Sequence, residues 1–268
     1  MGTVLSVSNQ KGGVGKTTTS INLGASLAAA GKKVLVVDMD PQANAGSGLG
    51  HFSQPDQGTI YQVLVGDAEL KEVIVPTQVP NLFLAPSTKD LAGAEIELVS
   101  AIAREMRLRN AMTQVRNDYD FILLDCPPSL GLLTINCLCA ADSVLIPLQC
   151  EYYAMEGLGR LLETIELVRN ALHPVLKVEG VLFTMFDARN NLAHQVVKEV
   201  KAHFEGRIFE TMIPRNVRLS EAPSHGMPAI LYDAASRGSQ GYLTLAEEML
   251  GIVPPAQPPV PQPPQAAA

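Results

Sequence analysis

Two lysines bracket one glycine-rich loop. Residues 11–18 read KGGVGKTT, so Lys11 and Lys16 flank Gly12, Gly13, Val14 and Gly15, and Thr17 and Thr18 follow. Glycines let a backbone turn through positive φ and bring its N–H groups close to an anion. A lysine after the last glycine offers a cation to the β- and γ-phosphates, and the adjacent threonine offers a hydroxyl to Mg2+. The usual phosphate loop, G-x-x-x-x-G-K-[ST], would place glycines at 10 and 15; position 10 is Gln10, so the strict form fails by one residue. All eight residues, Lys11 to Thr18, form the expected nucleotide-binding set. Lys11 is one cation more than such a loop needs.

The carboxylates come next. Asp38 ends the apolar run KVLVV and Asp125 ends FILL. A hydrophobic strand closed by Asp, downstream of a phosphate loop, is the expected Mg2+-side element, with the Thr17 hydroxyl as direct ligand. Mg2+ keeps most of its waters, so Thr17 and a water-bridged Asp125 suffice as the metal set. The plainer role for Asp125 is to cap the turn CPPS that follows it. Asp40, in MDPQANA, lies two residues past Asp38 in a loop, freer to orient an attacking water; Gln42 is a neutral second candidate. A turn-forming Asp before Pro41 is the bland alternative.

These residues need a scaffold to hold them. Residues 3–8 (TVLSVS) read as a buried strand before the loop, and 17–30 as a helix ended by Gly31. Further strands are expected at 33–38, 81–85, 119–125, 143–148, 177–185 and 207–213, and helices at 104–117, 132–140, 153–172, 192–204 and 238–250. Buried apolar strands alternating with helices imply an α/β fold of three layers: a mainly parallel twisted sheet covered by helices on both faces, of the P-loop NTPase type. In such sheets ligands sit at the carboxyl ends of the strands. A single ATPase domain is expected over 1–252. The remaining residues, 253–268, are proline-rich and read as a disordered tail; 254–268 alone holds seven prolines and no charge.

Composition limits the classes. A chain of 268 residues with 47% apolar content can bury one large core. A net charge of −7 argues against a protein that coats nucleic acid over its whole surface but permits a local basic patch. No apolar run approaches a membrane span, and no secretory signal is visible. Met1-Gly2 begins a match to the myristoylation pattern, but those residues are needed in the first strand. Cys126, Cys137, Cys139 and Cys150 form no C-x-x-C pair and read as reduced, buried thiols of a cytoplasmic protein. The five histidines have no metal-ligand spacing.

KGGVGKTT (11–18), VVDMDPQANA (36–45) and FILLDCPPSLG (121–131) resemble the deviant Walker-A ATPases of the ParA and MinD superfamily. IPLQCEYYAMEGL (146–158), FTMFDARNN (183–191) and IPRNVRLSEAPSHG (213–226) resemble its chromosomal ParA (Soj) branch. The resemblance implies that Lys11 reaches across a homodimer to the partner's phosphates, while Lys16 serves its own ATP. It implies a catalytic set of Lys11, Lys16 and Asp40, a tight dimer contact at Gly12, and Pro214, Arg215 and Asn216 near the adenine. It also implies double-stranded DNA bound without sequence preference on a nucleoid, through Arg189 and Arg218, within a region that also carries Lys198 and Lys201. A ParB-type protein is the implied partner, with a short basic N-terminal segment that stimulates hydrolysis. ATP and Mg2+ are the implied cofactors.

Three other readings fit less well. A MinD-like membrane ATPase should end in a basic amphipathic helix, whereas the chain ends AEEMLGIVPPAQPPVPQPPQAAA. An iron protein would bridge a cluster with cysteines, but Cys137 and Cys139 fall on different faces of a helix. A pure binding module with a dead site sits poorly with Lys16, Thr17, Asp40 and Asp125 together.

Overall fold

The computed structural model describes residues 1–52, 54 and 57–252; the proline-rich segment 253–268 lies outside them. One seven-stranded sheet runs in the order β3-β4-β2-β5-β1-β6-β7. Its strands are β1 (Thr3–Val7), β2 (Val34–Asp38), β3 (Val75–Pro76), β4 (Leu82–Ala85), β5 (Phe121–Asp125), β6 (Ser143–Gln149) and β7 (Lys177–Thr184). All pairings are parallel except the short edge pair β3–β4.

Alternation of side chains along each strand feeds two cores. Val4, Leu35, Val37, Ile122, Leu124, Val144 and Ile146 face one core. That layer contains α3 (Ile60–Val65), α4 (Leu70–Val73), α5 (Leu91–Glu97), α6 (Arg107–Met112), α7 (Leu132–Ala140), α8 (Ala154–Ala171) and α9 (Asn191–His203). Leu5, Val34, Val36, Leu123 and Leu145 face the other core. They pack under α1 (Lys16–Ala29), α2 (Asn44–Gly48), α10 (Val217–Glu221), α11 (Ala229–Tyr232) and α12 (Arg237–Met249). Strands buried on both faces explain the unbroken apolar runs in the sequence. Each fully buried Leu or Val contributes roughly 1.5–3 kcal/mol, so the central strands are held rigidly.

Two expected elements are corrected. The helix expected at 104–117 is interrupted: a 3-10 turn at Arg104–Met106 leads into α6, and a second at Arg116–Asp118 precedes β5. The Asn136 amide of α7 donates to the Arg104 carbonyl (2.9 Å), and its oxygen accepts from Leu108 N (3.1 Å), which bends the chain at its start. The strand expected at 207–213 forms only isolated bridges, Val181 to Ile208 and Phe186 to Pro214. Phe209 N and Ile213 N still donate to the Val181 (3.0 Å) and Phe183 (2.9 Å) carbonyls of β7, but between them Thr211 N is taken by the Glu248 carboxylate of α12 (2.9 Å), which also accepts from Glu210 N (3.0 Å). Gly31 ends α1 as expected, at φ 81°, and Gly2 donates to the Arg116 carbonyl (3.2 Å) at the start of β1. Among the described residues no helix is long and apolar enough to cross a membrane.

Candidate active site

The parallel register brings the site together. β1 is central, between β5 and β6, so its C-terminal end opens into the middle of the sheet edge. Val7 pairs with Asp125, and Asp38 also pairs with Asp125, which aligns both aspartates beside the loop that leaves β1.

The loop is pinned from several elements. Asn9 donates to the Pro147 carbonyl of β6 (2.8 Å) and accepts from Lys11 N (3.0 Å). Thr184, the last residue of β7, donates to the Val14 carbonyl (2.8 Å). Gly13 and Gly15 adopt φ of 74° and 91°, the left-handed region that side chains resist. Gly15 is the N-cap of α1 and accepts from Thr19 N (2.8 Å). The free N–H groups of that helix end face the loop, a ready anion site.

The two lysines point to different places. Lys16 is buried (6% exposed) and its ammonium turns into the loop to donate to the Lys11 carbonyl (3.1 Å). Burial lowers its pKa, and the charge of Asp125 opposes that shift. Lys11 turns outward: its side chain is 40% exposed and pairs with Glu151, just past β6.

Asp125 is fully buried. Its Oδ1 accepts from the Ser20 hydroxyl (2.9 Å), while its Oδ2 is buried with no partner. Burial pushes its carboxyl up to about 6, against the hydroxyls of Thr17 and Ser20 that favour the charged form. Asp38 is pushed well up as well, by burial first and then by the charge of Asp125. An orphaned carboxylate oxygen beside Thr17 is the chemistry of a divalent cation site, so the residues fit Mg2+. Asp38 is occupied differently. It accepts from the backbone N–H of Asp40 (3.1 Å), Ala45 (3.1 Å) and Gly46 (3.2 Å), and so holds the loop that carries Asp40. Asp40 is 8% exposed, accepts from Gln42 N (2.9 Å), and lies close enough to Lys16 and Asp125 to perturb both.

A cavity of about 240 Å3 adjoins the loop, lined by Gly15, Thr18, Thr184, Met185, Pro214, Arg215, Asn216 and Tyr242. The sequence-predicted Pro214, Arg215 and Asn216 thus meet the loop in space. Sequence reasoning does not single out Ser20, Glu151, Thr184 or Tyr242. Ser20 lies one helical turn from Lys16, a legible spacing; Glu151 and Thr184 reach the site from the ends of β6 and β7, and Tyr242 from α12, where its hydroxyl meets that of Thr19 (3.0 Å).

The predicted DNA residues are less united. Arg189 lines a groove of about 790 Å3 with Arg215 and the unpredicted Arg237. Its side chain is 90% exposed and makes a two-pronged contact with Asp187 (3.0 and 2.8 Å), which holds that carboxyl below its usual range. Arg218 lies outside that groove, paired with Glu221 (2.8 Å) and Asp233 (3.2 Å) above the Tyr232 ring. Lys198 and Lys201 are exposed on α9, Lys201 within 4.0 Å of Glu210. The four cysteines are free and buried, and no described cluster of His, Cys, Asp and Glu has the form of a metal centre.

Known proteins resemble this chain in sequence and in fold. Residues 2–178 match the AAA domain family. The chain is 59% identical over 249 residues to the sporulation initiation inhibitor protein Soj of Bacillus subtilis, covering 93% of this chain and 98% of that one. It is 58% identical over 250 residues to the chromosome partitioning protein ParA of Myxococcus xanthus, covering 93% and 88%. The chain belongs to the ParA/Soj family of chromosome-partitioning ATPases. A structure of cobyrinic acid a,c-diamide synthase from Mycobacterium smegmatis, with bound ATP analog and magnesium, superimposes with a TM-score of 0.82 at 38% identity, covering 93% of this chain and 95% of that one. ParA/Soj membership makes the enzyme an ATPase.

Proposed function

We propose that this ParA/Soj protein hydrolyses ATP as a switch between a single chain and a sandwich dimer, and that only the dimer holds duplex DNA. The observation that carries this reading is the divergence of the two lysines: Lys16 turns into its own loop, and Lys11 turns out of it. Two triphosphates facing each other need buried positive charge between them, and Lys11 is placed to leave Glu151 for the partner's phosphates. Cations supplied in trans are worth roughly 10³–10⁵ in rate in the best cases.

In this reading residues 11–18 cradle the phosphates, and Pro214, Arg215 and Asn216 border the adenine. Thr17 and Asp125 hold Mg2+, whose positive charge neutralises the phosphates when bound. Asp40, fixed in place by Asp38, orients the attacking water. Arg189, Lys198, Lys201 and Arg218 contact DNA phosphates, and pairing two subunits doubles the patch. A ParB-type partner stimulates hydrolysis and releases the DNA, which suits a protein acting on the nucleoid in segregation. One ATPase domain spans 1–252.

The test is sedimentation and DNA retention with ATP, ADP and no nucleotide, at two salt concentrations. ATP alone should give a dimer and salt-sensitive retention. Gly12→Val sharpens the test, because a Cβ at Gly12 meets nothing within 4 Å in the single chain. That variant should fold and bind ATP yet stay single; an ATP-dependent dimer of Gly12→Val would remove the close contact from the reading.

A further inference from the structure

Two glycines meet back to back behind the Asp40 turn. Gly50 lies just past α2 at φ 76°, and Gly226 ends the 3-10 turn Ala222–His225 at φ 65°. A Cβ on Gly50 would sit 2.6 Å from the Gly226 carbonyl oxygen, and one on Gly226 would sit 2.8 Å from Gly50 Cα. The Gln78 side-chain amide donates to that same carbonyl. Close-packed backbone of this kind transmits displacement, because no flexible side chain lies between to absorb it.

Each glycine ends a unit with a charged residue at its far side. On one side, Asp38 accepts from the N–H groups of Asp40, Ala45 and Gly46, which ties the Asp40 turn to α2. Gly50 N donates to the Ser47 carbonyl (3.1 Å), so the same unit extends to Gly50. On the other side, α10 carries Arg218 and runs directly into the 3-10 turn, which Gly226 N closes on the Pro223 carbonyl (3.0 Å). Leu219, Ser220 and Pro223 of this second unit also wall the cavity beside the phosphate loop.

The chain beyond Gly226 is anchored elsewhere. Ala229 N donates to the Asn22 side chain of α1 (2.8 Å), and Asp233 N donates to the Ala229 carbonyl (2.8 Å). Arg218 pairs with Glu221 inside its own unit, and with Asp233 across to this α1-anchored segment (3.2 Å). The Arg218–Asp233 pair therefore spans two bodies that can shift against each other, whereas the Arg218–Glu221 pair does not.

We propose that Gly50, Gly226 and Gln78 are positioning residues for Arg218. Displacement of the Asp40 turn by bound ATP passes through the glycine contact to α10 and opens the Arg218–Asp233 pair, which releases that cation for a DNA phosphate. The proposal rests on the reading that ATP controls DNA binding, and adds to the doubling of the patch a change within each subunit.

The test uses the full chain and a fluorescent duplex, with DNA affinity read by anisotropy in ATP and in ADP, dimerisation by light scattering and folding by thermal melting. Gly50→Ala should fold, bind ATP and dimerise, while the ratio of DNA affinity in ATP to that in ADP falls about fivefold or more. Gln78→Ala removes only the amide and should lower the ratio less, in the same direction. Gly31→Ala is the control: it places the same kind of strain at φ 81° with nothing within 4 Å of the added Cβ, and should leave the ratio unchanged. Asp233→Asn should raise DNA affinity in ADP by up to about fivefold and leave it unchanged in ATP, a gain that a merely structural role would not produce. A ratio in Gly50→Ala equal to that of the unaltered protein overturns the proposal, as does an equal fall in Gly31→Ala. Loss of the ATP-dependent dimer in Gly50→Ala assigns the contact to dimerisation and also overturns it. Should Gly50→Ala fail to fold, an unchanged ratio in Gln78→Ala overturns it instead. Unchanged DNA affinity of Asp233→Asn in ADP overturns the release of Arg218. All these outcomes leave ATP control of DNA binding standing; equal DNA affinity of the unaltered protein in ATP and ADP overturns that reading, and the link with it.

Discussion

The loop around Lys16 and the surface around Arg189 both gather charge, but in opposite ways. At the loop, Lys16, Asp38 and Asp125 are buried, and strand ends in register set the positions of the two aspartates. At the surface, Arg189 and Arg218 each face water and lean on carboxylates of their own neighbourhood. Buried charges are costly to leave uncompensated, so single changes there have large, specific effects. Exposed pairs are individually worth about 0–1 kcal/mol, so the surface acts by number and is screened by salt. The contrast sorts the expected consequences of mutation.

The largest effect belongs to Lys16→Ala. Removing the buried cation of the loop should weaken ATP binding about a hundredfold, by the loss of charge-assisted hydrogen bonds to phosphate. Titration with a fluorescent ATP analogue measures it. Affinity near that of the unaltered protein would make the loop no more demanding than the surface, and the contrast would collapse.

Next comes the pH dependence of Mg2+ binding. Asp125 ordinarily titrates near 3.8, and burial pushes it to about 6 before a cation arrives. Between these values the folded chain holds a proton that the unfolded chain has released, so this group's contribution to stability falls as pH rises through that window. A cation needs the ionised form. Apparent Mg2+ affinity should therefore fall by about tenfold per pH unit below 6 and level off above it. Mg2+ titrations followed by calorimetry at several pH values test this, and a flat profile through pH 5 would move the metal away from Asp125.

The same contrast explains what the sequence could reveal. β1, the loop, α1 and the two aspartate-ended strands were legible because fully buried parallel strands leave continuous apolar runs, here closed by a charged residue. The contacts between distant residues were not. Glu248 breaks the expected strand at 207–213 from nearly forty residues away in α12, and Asn136 bends the expected helix at 104–117 from α7. Asp233 neutralises Arg218 across fifteen residues, so the cations counted along the chain overstate the free charge of the surface. Arg237 joins Arg189 at the groove only in three dimensions. Local pattern reports burial; it does not report which side chain from another element will capture a backbone group or a charge.

Arg189→Glu with Arg218→Glu probes the surface at a smaller scale. ATP-dependent dimerisation should persist, while DNA retention falls. Its salt dependence should flatten by about one unit of log–log slope for each DNA phosphate that is no longer neutralised. Filter retention across a salt series reads both. Because Asp187, Glu221 and Asp233 already offset these arginines, single alanine changes should cost less than charge reversals. Unchanged retention in the double reversal would shift the DNA-binding surface to Lys198, Lys201 or Arg237.

The smallest effect tests the residue that joins the two regimes. Lys11 belongs to the loop by sequence but to the surface by environment, partly exposed and paired with Glu151. For Lys11 to serve a partner's phosphates it must give up that carboxylate. An exposed ion pair stabilises by at most about 1 kcal/mol, so Glu151→Gln should lower the ATP concentration needed for dimerisation by no more than about fivefold. Light scattering across an ATP titration resolves a shift of that size. A fall in dimerisation instead would mean that Glu151 positions Lys11 for its partner rather than restrains it, and Lys11 would then behave like the buried loop rather than like the surface it faces.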